Sequence, residues 1–186
     1  MKHFFWSTLV LLAVVLTFTA CEKDDPEEPN EEEVITSLIY TLNPGDGSIP
    51  VVISFQDLDG DGGNAPTIVN GTLQANTTYS GAIELLNEQE TPAERITEEI
   101  EEEDEEHQFF FETSVNGLTV AYDDKDEDGN PIGLATTLTT GEAGSGTLTV
   151  TLRHEPDKAA AGVADGMIAN AGGETDIEVS FDIEVQ

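Results

Sequence analysis

Basic residues are scarce in this chain. Six Lys and Arg stand against 39 Asp and Glu, which gives a formal net charge of −33. A field of that sign repels phosphate, which excludes nucleic acid as a partner, and attracts metal cations or basic partners. A solvated acidic surface without any partner is the alternative. Motifs of nucleophilic or metal-dependent hydrolysis and phosphate-binding Gly loops are absent, so the sequence predicts no enzyme.

Cysteine is almost absent as well, and the single Cys21 excludes a disulfide within the chain. It follows a charged start and an apolar run over residues 4–20, shorter than the roughly 20 residues that span a bilayer. Residues 1–20 are therefore typical of a secretory signal peptide. Residues 18–21, Phe-Thr-Ala-Cys, resemble the lipobox of bacterial lipoproteins, so we expect cleavage before Cys21 and membrane attachment through lipid on it. A soluble secreted protein is the alternative.

The residues after Cys21 favour an outer-membrane lipoprotein that faces the cell exterior. Residues 22–25, Glu-Lys-Asp-Asp, resemble the Lys-then-acidic export tag of some Gram-negative bacteria, an address read by transport machinery. From residue 24 to 33 the chain holds no apolar side chain, so residues 21–33 are predicted to form an acidic, extended tether. Residues 34–186 are predicted to form one domain.

That domain alternates apolar and polar residues in short segments, the period of half-buried antiparallel strands. The clearest segment is 176–185, where Ile177, Val179 and Phe181 alternate with acidic residues or Ser. Clusters of Gly, Asn, Asp and Pro separate the segments. The sequence therefore predicts a mainly β fold of about eight or nine strands, either an antiparallel β-sandwich or a small barrel.

One segment is predicted to be a short acidic helix. Residues 91–94, Thr-Pro-Ala-Glu, have the pattern of a capped helix start, and Ile96 and Ile100 fall on one helical face. All residues from 98 to 106 except Ile100 are acidic, and like charges four residues apart weaken a helix. We expect the helix to fray after Ile100 and a strand to follow over residues 107–111.

Two Asp-rich loops match the first half of a calcium loop, in which alternate carboxylates converge on one hard cation. Neither continues to the Glu that an EF-hand requires, because Ile68 and Ala135 stand there. The loops are closer to the calcium loops of β-sandwich surface modules. Ordinary hairpin turns use the same residue types, so calcium and a plain turn both stay open. The candidate calcium ligands are Asp57, Asp59 and Asp61 in the first loop and Asp124, Asp126 and Asp128 in the second.

The acidic run offers a second candidate cation site. It ends in His107, and imidazole nitrogen with carboxylate oxygen suits zinc or another transition metal. His154 supplies a second imidazole if the fold brings it close to His107. A solvated acidic face is the alternative. The candidate ligands are Glu103, Glu106, His107 and His154.

The order of these features resembles a group of uncharacterised bacterial surface lipoproteins. Their Cys-Lys-Asp-Asp-like start leads into strands, a Phe-x-Asp-x-Asp-Gly-Asp-Gly loop (here 55–62), an acidic helix and a Glu-His-Gln-Phe-Phe-Phe strand (here 106–111). Such proteins are labelled with the type 1 periplasmic binding fold, a two-lobed α/β architecture, whereas the alternation here predicts β structure. More broadly, the chain resembles small β-rich lipoproteins that capture substrates beside outer-membrane transporters, which implies a transporter as partner.

Three functional hypotheses are consistent with these features. The first is a lipid-anchored, non-enzymatic binding module at the cell surface that captures a cation, a metal complex or another ligand beside an outer-membrane transporter. The second is a calcium-stiffened structural or adhesive envelope lipoprotein. The third is a hydrolase that uses the carboxylates around His107.

Overall fold

The computed structural model describes residues 33–60 and 62–186. The predicted signal peptide, the lipidation site Cys21, nearly all of the tether and the candidate ligand Asp61 lie outside these residues. All of the described residues belong to one compact unit. Within the described part of the chain, no helix combines the length and apolarity that crossing a membrane requires.

The described residues form two β-sheets, and the mainly β prediction is confirmed. The elements in chain order are β1 (Ser37–Pro44), β2 (Val51–Gln56), β3 (Thr67–Val69), β4 (Gly71–Leu73), β5 (Thr78–Leu86), α1 (Ile96–Glu102), β6 (His107–Thr113), β7 (Thr119–Tyr122), β8 (Ala135–Thr139), β9 (Gly144–His154), two single 3-10 turns and β10 (Glu174–Val185). The first sheet has the order β3-β2-β1-β5-β8-β7 and the second β4-β10-β9-β6. Neither sheet closes into a barrel, and the described strands number ten instead of eight or nine.

The two sheets bury their apolar faces against each other in a sandwich. Leu38, Tyr40 and Leu42 of β1 and Phe181 of β10 belong to one buried cluster, and the residues between them are more exposed. This is the alternation seen in the sequence, with apolar residues inward and polar residues outward. Each buried Leu, Ile or Phe contributes about 1.5–3 kcal/mol relative to an exposed one, so this cluster is the main source of stability.

The chain passes from one sheet to the other between β3 and β4. Val69 pairs with β2, Gly71 pairs with β10, and Asn70 alone separates them. A side chain at Gly71 would begin 2.7 Å from Cγ2 of Ile53, so this close approach requires glycine. The pairing of β4 with β10 is parallel, while the other strand pairs are antiparallel.

The loop between β7 and β8 joins the sheets at the opposite side. The backbone N–H of Phe109 in β6 donates to the carbonyl of Ile132 at 2.7 Å, and the N–H of Ile83 in β5 donates to that of Leu134 at 2.8 Å. The loop therefore carries backbone hydrogen bonds to both sheets. It also holds the second Asp-rich segment, whose position is fixed by these bonds.

The helix begins later than the sequence predicts. Glu94, which was expected in its first turn, exchanges two backbone hydrogen bonds of 3.0 Å with Asn87. This bridge holds residues 87–94 in an irregular turn, so the predicted start at 91–94 is wrong and α1 begins at Ile96. Ile96 and Ile100 are both buried as predicted, and the helix ends at Glu102, close to the expected fraying point.

The adjacent phenylalanines of β6 fill both faces of the four-stranded sheet. Phe109 lies in the main core between the sheets. Phe110 faces the other way and is buried with Val163 and Ala171, which belong to the long connection between β9 and β10. That connection therefore covers the outer face of β6, and the inner face is left to the core and to the residues described next.

Candidate metal centre

Two histidines end the inner face of the four-stranded sheet. His107 is the first residue of β6, His154 is the last residue of β9, and the two are direct cross-strand partners. Each histidine lies two residues from a core residue of the same strand, Phe109 in β6 and Leu152 in β9, and so shares its inward-facing side of the sheet. The two imidazole ring centroids are 4.5 Å apart. Strand register thus places two buried imidazoles side by side.

Two carboxylates from other segments complete this group, which we call the inner cluster: Glu33, His107, His154 and Asp176. Oε1 of Glu33 lies 2.9 Å from Nε2 of His107, and its Oε2 lies 3.7 Å from Nδ1 of His154. Oδ2 of Asp176 lies 4.0 Å from Nε2 of His107, and its Oδ1 lies 3.9 Å from Nδ1 of His154. One ligand atom from each residue can be chosen so that all lie within 4.8 Å of one another.

A β-bulge accounts for the position of Asp176. Thr175 pairs with Arg153 and Ile177 with Leu152, so β10 gains one residue relative to β9 at this point. In a regular strand, Asp176 would face away from the side of Ile177. A bulge inserts a residue and redirects a side chain, and here it accompanies a carboxylate that joins the inner cluster.

The protonation of His107 follows from its neighbours. Nδ1 donates to the backbone carbonyl of Glu103 at 3.1 Å, which leaves Nε2 facing the carboxylates. Burial by itself lowers the pKa of His107, but the Glu33 hydrogen bond, the Glu103 carbonyl and the nearby carboxylates outweigh it and raise the pKa overall. Burial raises the pKa of Glu33, yet its bond to His107 lowers it overall. Without a metal, the two side chains form an ion pair.

His154 presents one ring nitrogen to each of two groups. Its Nδ1 faces Glu33 and Asp176, and its Nε2 lies 3.7 Å from Oε2 of Glu106. Nδ1 of His154 and Oε2 of Glu33 are buried without a hydrogen-bond partner in the part of the chain that the structure describes. An unsatisfied buried polar group costs about 1–3 kcal/mol, so the inner cluster holds donor atoms that a bound cation would satisfy.

The donor set matches a divalent transition metal. Two imidazole nitrogens and two carboxylate oxygens are ligands that zinc and its neighbours accept. Ligand atoms around a tetrahedral zinc are about 3.4 Å apart, given bonds of about 2.0–2.1 Å. The four contacts of the inner cluster join the two ring nitrogens to both oxygens of each carboxylate, and these nitrogen–oxygen distances, from 2.9 to 4.0 Å, lie on both sides of that value. The bond from His107 Nδ1 to a carbonyl is the outer contact that commonly orients a metal-binding histidine.

Of the four predicted transition-metal ligands, the structure brings His107 and His154 together. Glu103 and Glu106 lie outside the inner cluster. The Glu103 side chain is exposed and contributes its backbone carbonyl instead, while Glu106 borders the far side of His154. Glu106, Glu155 and His154 form a second group of ligand atoms within 4.8 Å of one another, which we call the outer group.

Sequence reasoning missed the two carboxylates of the inner cluster. Glu33 was assigned to the tether because it ends an acidic run, and nothing in that run distinguishes it from its neighbours. The structure places its side chain in the sandwich. The alternation predicts that the Asp176 side chain faces solvent, whereas its position in the structure depends on the bulge in β10. The alternation itself contains no signal for that bulge.

The carboxylates of the first Asp-rich loop bind their own loop. Oδ1 of Asp57 accepts the N–H of Gly60 at 3.0 Å, and Oδ2 of Asp59 accepts the N–H and the side-chain amide of Asn64 at 3.0 and 2.7 Å. These are the contacts of an Asp-rich turn. Asp61 lies outside the described residues.

The second loop uses its carboxylates in a similar way. The two oxygens of Asp124 accept the N–H groups of Gly133 and Ala135 at 2.7 and 2.8 Å. Asp126 accepts the N–H of Asn130 at 2.7 Å and forms an ion pair of 3.0 Å with Lys158. Asp128 is exposed. Among the described residues, neither loop gathers three ligand groups around one point. The loops follow β2 and β7, which are separated by three strands in the six-stranded sheet, so they do not form a joint site.

A scan against protein-family models and searches of curated proteins and of solved structures found no significant match. The likeness to surface lipoproteins therefore stays a prediction from sequence. The fold and the inner cluster define this domain as a β-sandwich with a buried two-histidine, two-carboxylate group.

Proposed function

We propose that this protein is a non-enzymatic binding module that captures a divalent transition metal at the inner cluster and is held at the cell surface by lipid on Cys21. The observation that carries the proposal is the inner cluster itself. Two imidazoles and two carboxylates from four separate segments converge at the end of the core, and none of these side chains is more than 5% exposed.

The distances favour a metal site over a group of ion pairs. The contact between Glu33 and His107 has hydrogen-bond length, at 2.9 Å. The other three, at 3.7, 3.9 and 4.0 Å, are too long for hydrogen bonds. They leave room for one ion that takes a ring nitrogen from each histidine and one oxygen from each carboxylate, since one such set of four atoms lies within 4.8 Å of one another. An ion at that centre would also satisfy the buried nitrogen of His154 and the buried oxygen of Glu33.

The completeness of the ligand set favours binding over catalysis. A catalytic zinc keeps an open position beside three protein ligands, whereas four protein ligands close a tetrahedral site. The inner cluster offers four, and all are buried. This supports a site that holds its ion, in agreement with the absence of catalytic motifs from the sequence.

The charge of the chain supports capture at a surface. A formal charge of −33 raises the local concentration of cations. Combined with the predicted lipid and export tag, it favours an accessory lipoprotein that supplies metal to an outer-membrane transporter. The alternative of a calcium-stiffened envelope protein depends on the Asp-rich loops, and the oxygens of Asp124 and Asp126 already accept bonds from the chain or from Lys158.

Competition titration against a chromophoric chelator tests the proposal, with zinc, calcium and magnesium added to the metal-free chain from residue 22 onward. We expect one zinc ion per chain, with magnesium as the control for charge screening. His107→Ala and His154→Ala should each remove tight binding, because each deletes one of four ligands. Glu103→Gln is the matched control and should bind like the wild type, since that side chain is exposed. Zinc binding no tighter than magnesium binding, or unchanged in both histidine variants, would contradict the proposal.

A further inference from the structure

A metal held in the inner cluster must reach it through the protein surface. The four side chains of the inner cluster are nearly inaccessible to solvent, because none of them is more than 5% exposed. Glu106 is an exposed side chain in ion-pair contact with the cluster: it is 57% exposed, and its Oε2 lies 3.7 Å from Nε2 of His154. The His154 ring therefore connects the cluster with the surface.

Glu106 does not act alone at this surface. Glu155, which directly follows β9, offers a second carboxylate to the outer group. Its backbone has a φ of +48°, and its N–H donates to the carbonyl of Glu106 at 2.6 Å. This bond joins the backbones of the two residues, and one ligand atom of each lies within 4.8 Å of the other and of a His154 ring nitrogen.

We propose that the outer group is a loading site for the same divalent transition metal. The ion first binds Glu106, Glu155 and Nε2 of His154, and then moves to the inner cluster on the Nδ1 side of the same ring. The bond from Nε2 to the ion breaks as the bond from Nδ1 forms, and the proton that Nδ1 gives up to water is matched by one that Nε2 takes up from water. This inference rests on the proposed function and adds the path by which the ion arrives.

The buried nitrogen of His154 connects the two groups. Nδ1 has no hydrogen-bond partner in the described chain, while Nε2 is directed at Glu106. Once the ion lies in the inner cluster, the Nε2–H group of His154 can donate a hydrogen bond to the Glu106 carboxylate. Such a carboxylate contact commonly supports a metal-binding histidine. The two roles of Glu106 have different consequences. A loading role determines the rates of zinc uptake and release, whereas a supporting role determines the affinity of the inner cluster for zinc.

An acidic cavity leads to the outer group. It has a volume of about 390 Å³ and is lined by residues 101–106 and Glu127, all of them acidic. Glu106 therefore belongs both to the cavity wall and to the outer group. A cleft lined by one sign of charge raises the local concentration and the arrival rate of counter-ions. The cavity serves as the approach, and the outer group as the first position with an imidazole ligand.

Stopped-flow measurements of zinc uptake and of chelator-driven release test the loading site. The chain from residue 22 onward is compared with its Glu106→Gln/Glu155→Gln variant. The control is Glu112→Gln/Glu184→Gln, which removes the same charge from exposed positions outside both the cavity and the outer group. We expect both rates to fall by about tenfold or more in the first variant, the scale of rate effects from local charge. The dissociation constant should change by less than the roughly tenfold loss typical of a removed supporting residue.

Three results would overturn the loading site while wild-type zinc binding persists: unchanged rates in Glu106→Gln/Glu155→Gln, an equal slowing in the control variant, or a loss of affinity at an unchanged uptake rate. The last of these would assign Glu106 to support of His154 alone. A wild-type chain that holds no zinc would overturn the proposed function itself, so the two failures are distinguishable. Thermal unfolding of both metal-free variants verifies that they fold.

Discussion

Two buried groups of charged residues differ in how completely they are satisfied. Lys158 and Asp126 form one direct ion pair of 3.0 Å, and their side chains are 6% and 1% exposed. Lys158 also donates to the carbonyl of Asp104, and Asp126 accepts from Asn130. In the inner cluster, by contrast, three of four contacts are longer than hydrogen bonds, and Oε2 of Glu33 and Nδ1 of His154 have no hydrogen-bond partner among the described residues.

This difference separates a structural pair from a binding site. A buried pair with its remaining hydrogen bonds made needs nothing further, and breaking it leaves one uncompensated charge. A cluster in which three of four nitrogen–carboxylate contacts are longer than hydrogen bonds has ligand atoms that an added ion would satisfy. Buried charge alone therefore does not indicate metal binding in this protein. The distances between the ligand atoms are what support the proposed metal site.

The largest expected effect comes from breaking the complete pair. Lys158→Met leaves the Asp126 carboxylate buried without its cation, which should lower the free energy of unfolding by about 3–5 kcal/mol. Urea unfolding measures this, and the loss should be the same with and without zinc. Lys125→Met, at an exposed position in the same loop, is the control and should change little. A loss below about 1 kcal/mol, as for surface ion pairs, would show that the pair is not structural.

Neutralising a carboxylate of the inner cluster should affect the metal-free fold far less. The amide of Glu33→Gln can still accept a bond from His107, and this imidazole, unlike the Lys158 ammonium, can give up its charge near neutral pH. We therefore expect the free energy of unfolding without metal to change by at most about 1 kcal/mol. Zinc at about 100 times its dissociation constant should raise the free energy of unfolding of the wild type by ~2.7 kcal/mol. The same zinc concentration should raise that of the variant much less. Thermal unfolding with and without zinc measures both quantities. A large loss without metal, comparable with that of Lys158→Met, would remove the distinction between the two groups.

The stability from the Asp126 pair should disappear in acid. Burial raises the pKa of Asp126, but the Lys158 bond and the Asn130 contacts outweigh it, so the pKa is lowered overall. A group with a lowered folded pKa stabilises the fold above its unfolded pKa, about 3.9 for Asp, and loses this effect as the pH falls through the folded value. The stability difference between wild type and Asp126→Asn should therefore shrink below about pH 4. A difference that stays constant from neutral pH to pH 2 would contradict the assignment.

Calcium should give the smallest effect. The oxygens of Asp124 and Asp126 already accept bonds from the chain or from Lys158, so calcium would have to displace them. We expect calcium and magnesium to shift the thermal midpoint equally. A calcium-specific rise that Asp126→Ala abolishes would instead favour the structural hypothesis.

The sequence predicts the β-sheets better than the inner cluster, because the alternation of apolar and polar residues indicates directly which residues of a strand are buried. Strand segments such as 176–185 follow from it directly. The meeting of His107 and His154 depends on the register between β6 and β9, which a single strand pattern does not contain. Asp176 depends on a bulge, and Glu33 on a contact across the fold. The imidazoles could therefore be nominated from sequence, but their carboxylate partners could not.

The predicted start of the helix is wrong for a similar reason. Residues 91–94 carry a valid local signal, yet the bridge between Asn87 and Glu94 outweighs it. That bridge forms between two residues that have no distinguishing pattern. Local propensity is a weak guide where a backbone contact competes for the same residues.

X-ray absorption spectroscopy of the zinc-loaded chain tests the central claim most directly, because it counts the atoms bound to the ion. We expect four nitrogen or oxygen neighbours at about 2.0–2.1 Å, two of them with the outer-shell scattering of imidazole. His107→Ala should remove one imidazole from that count. A six-coordinate shell of oxygen alone would mean that zinc binds the acidic surface, and would contradict the buried metal centre.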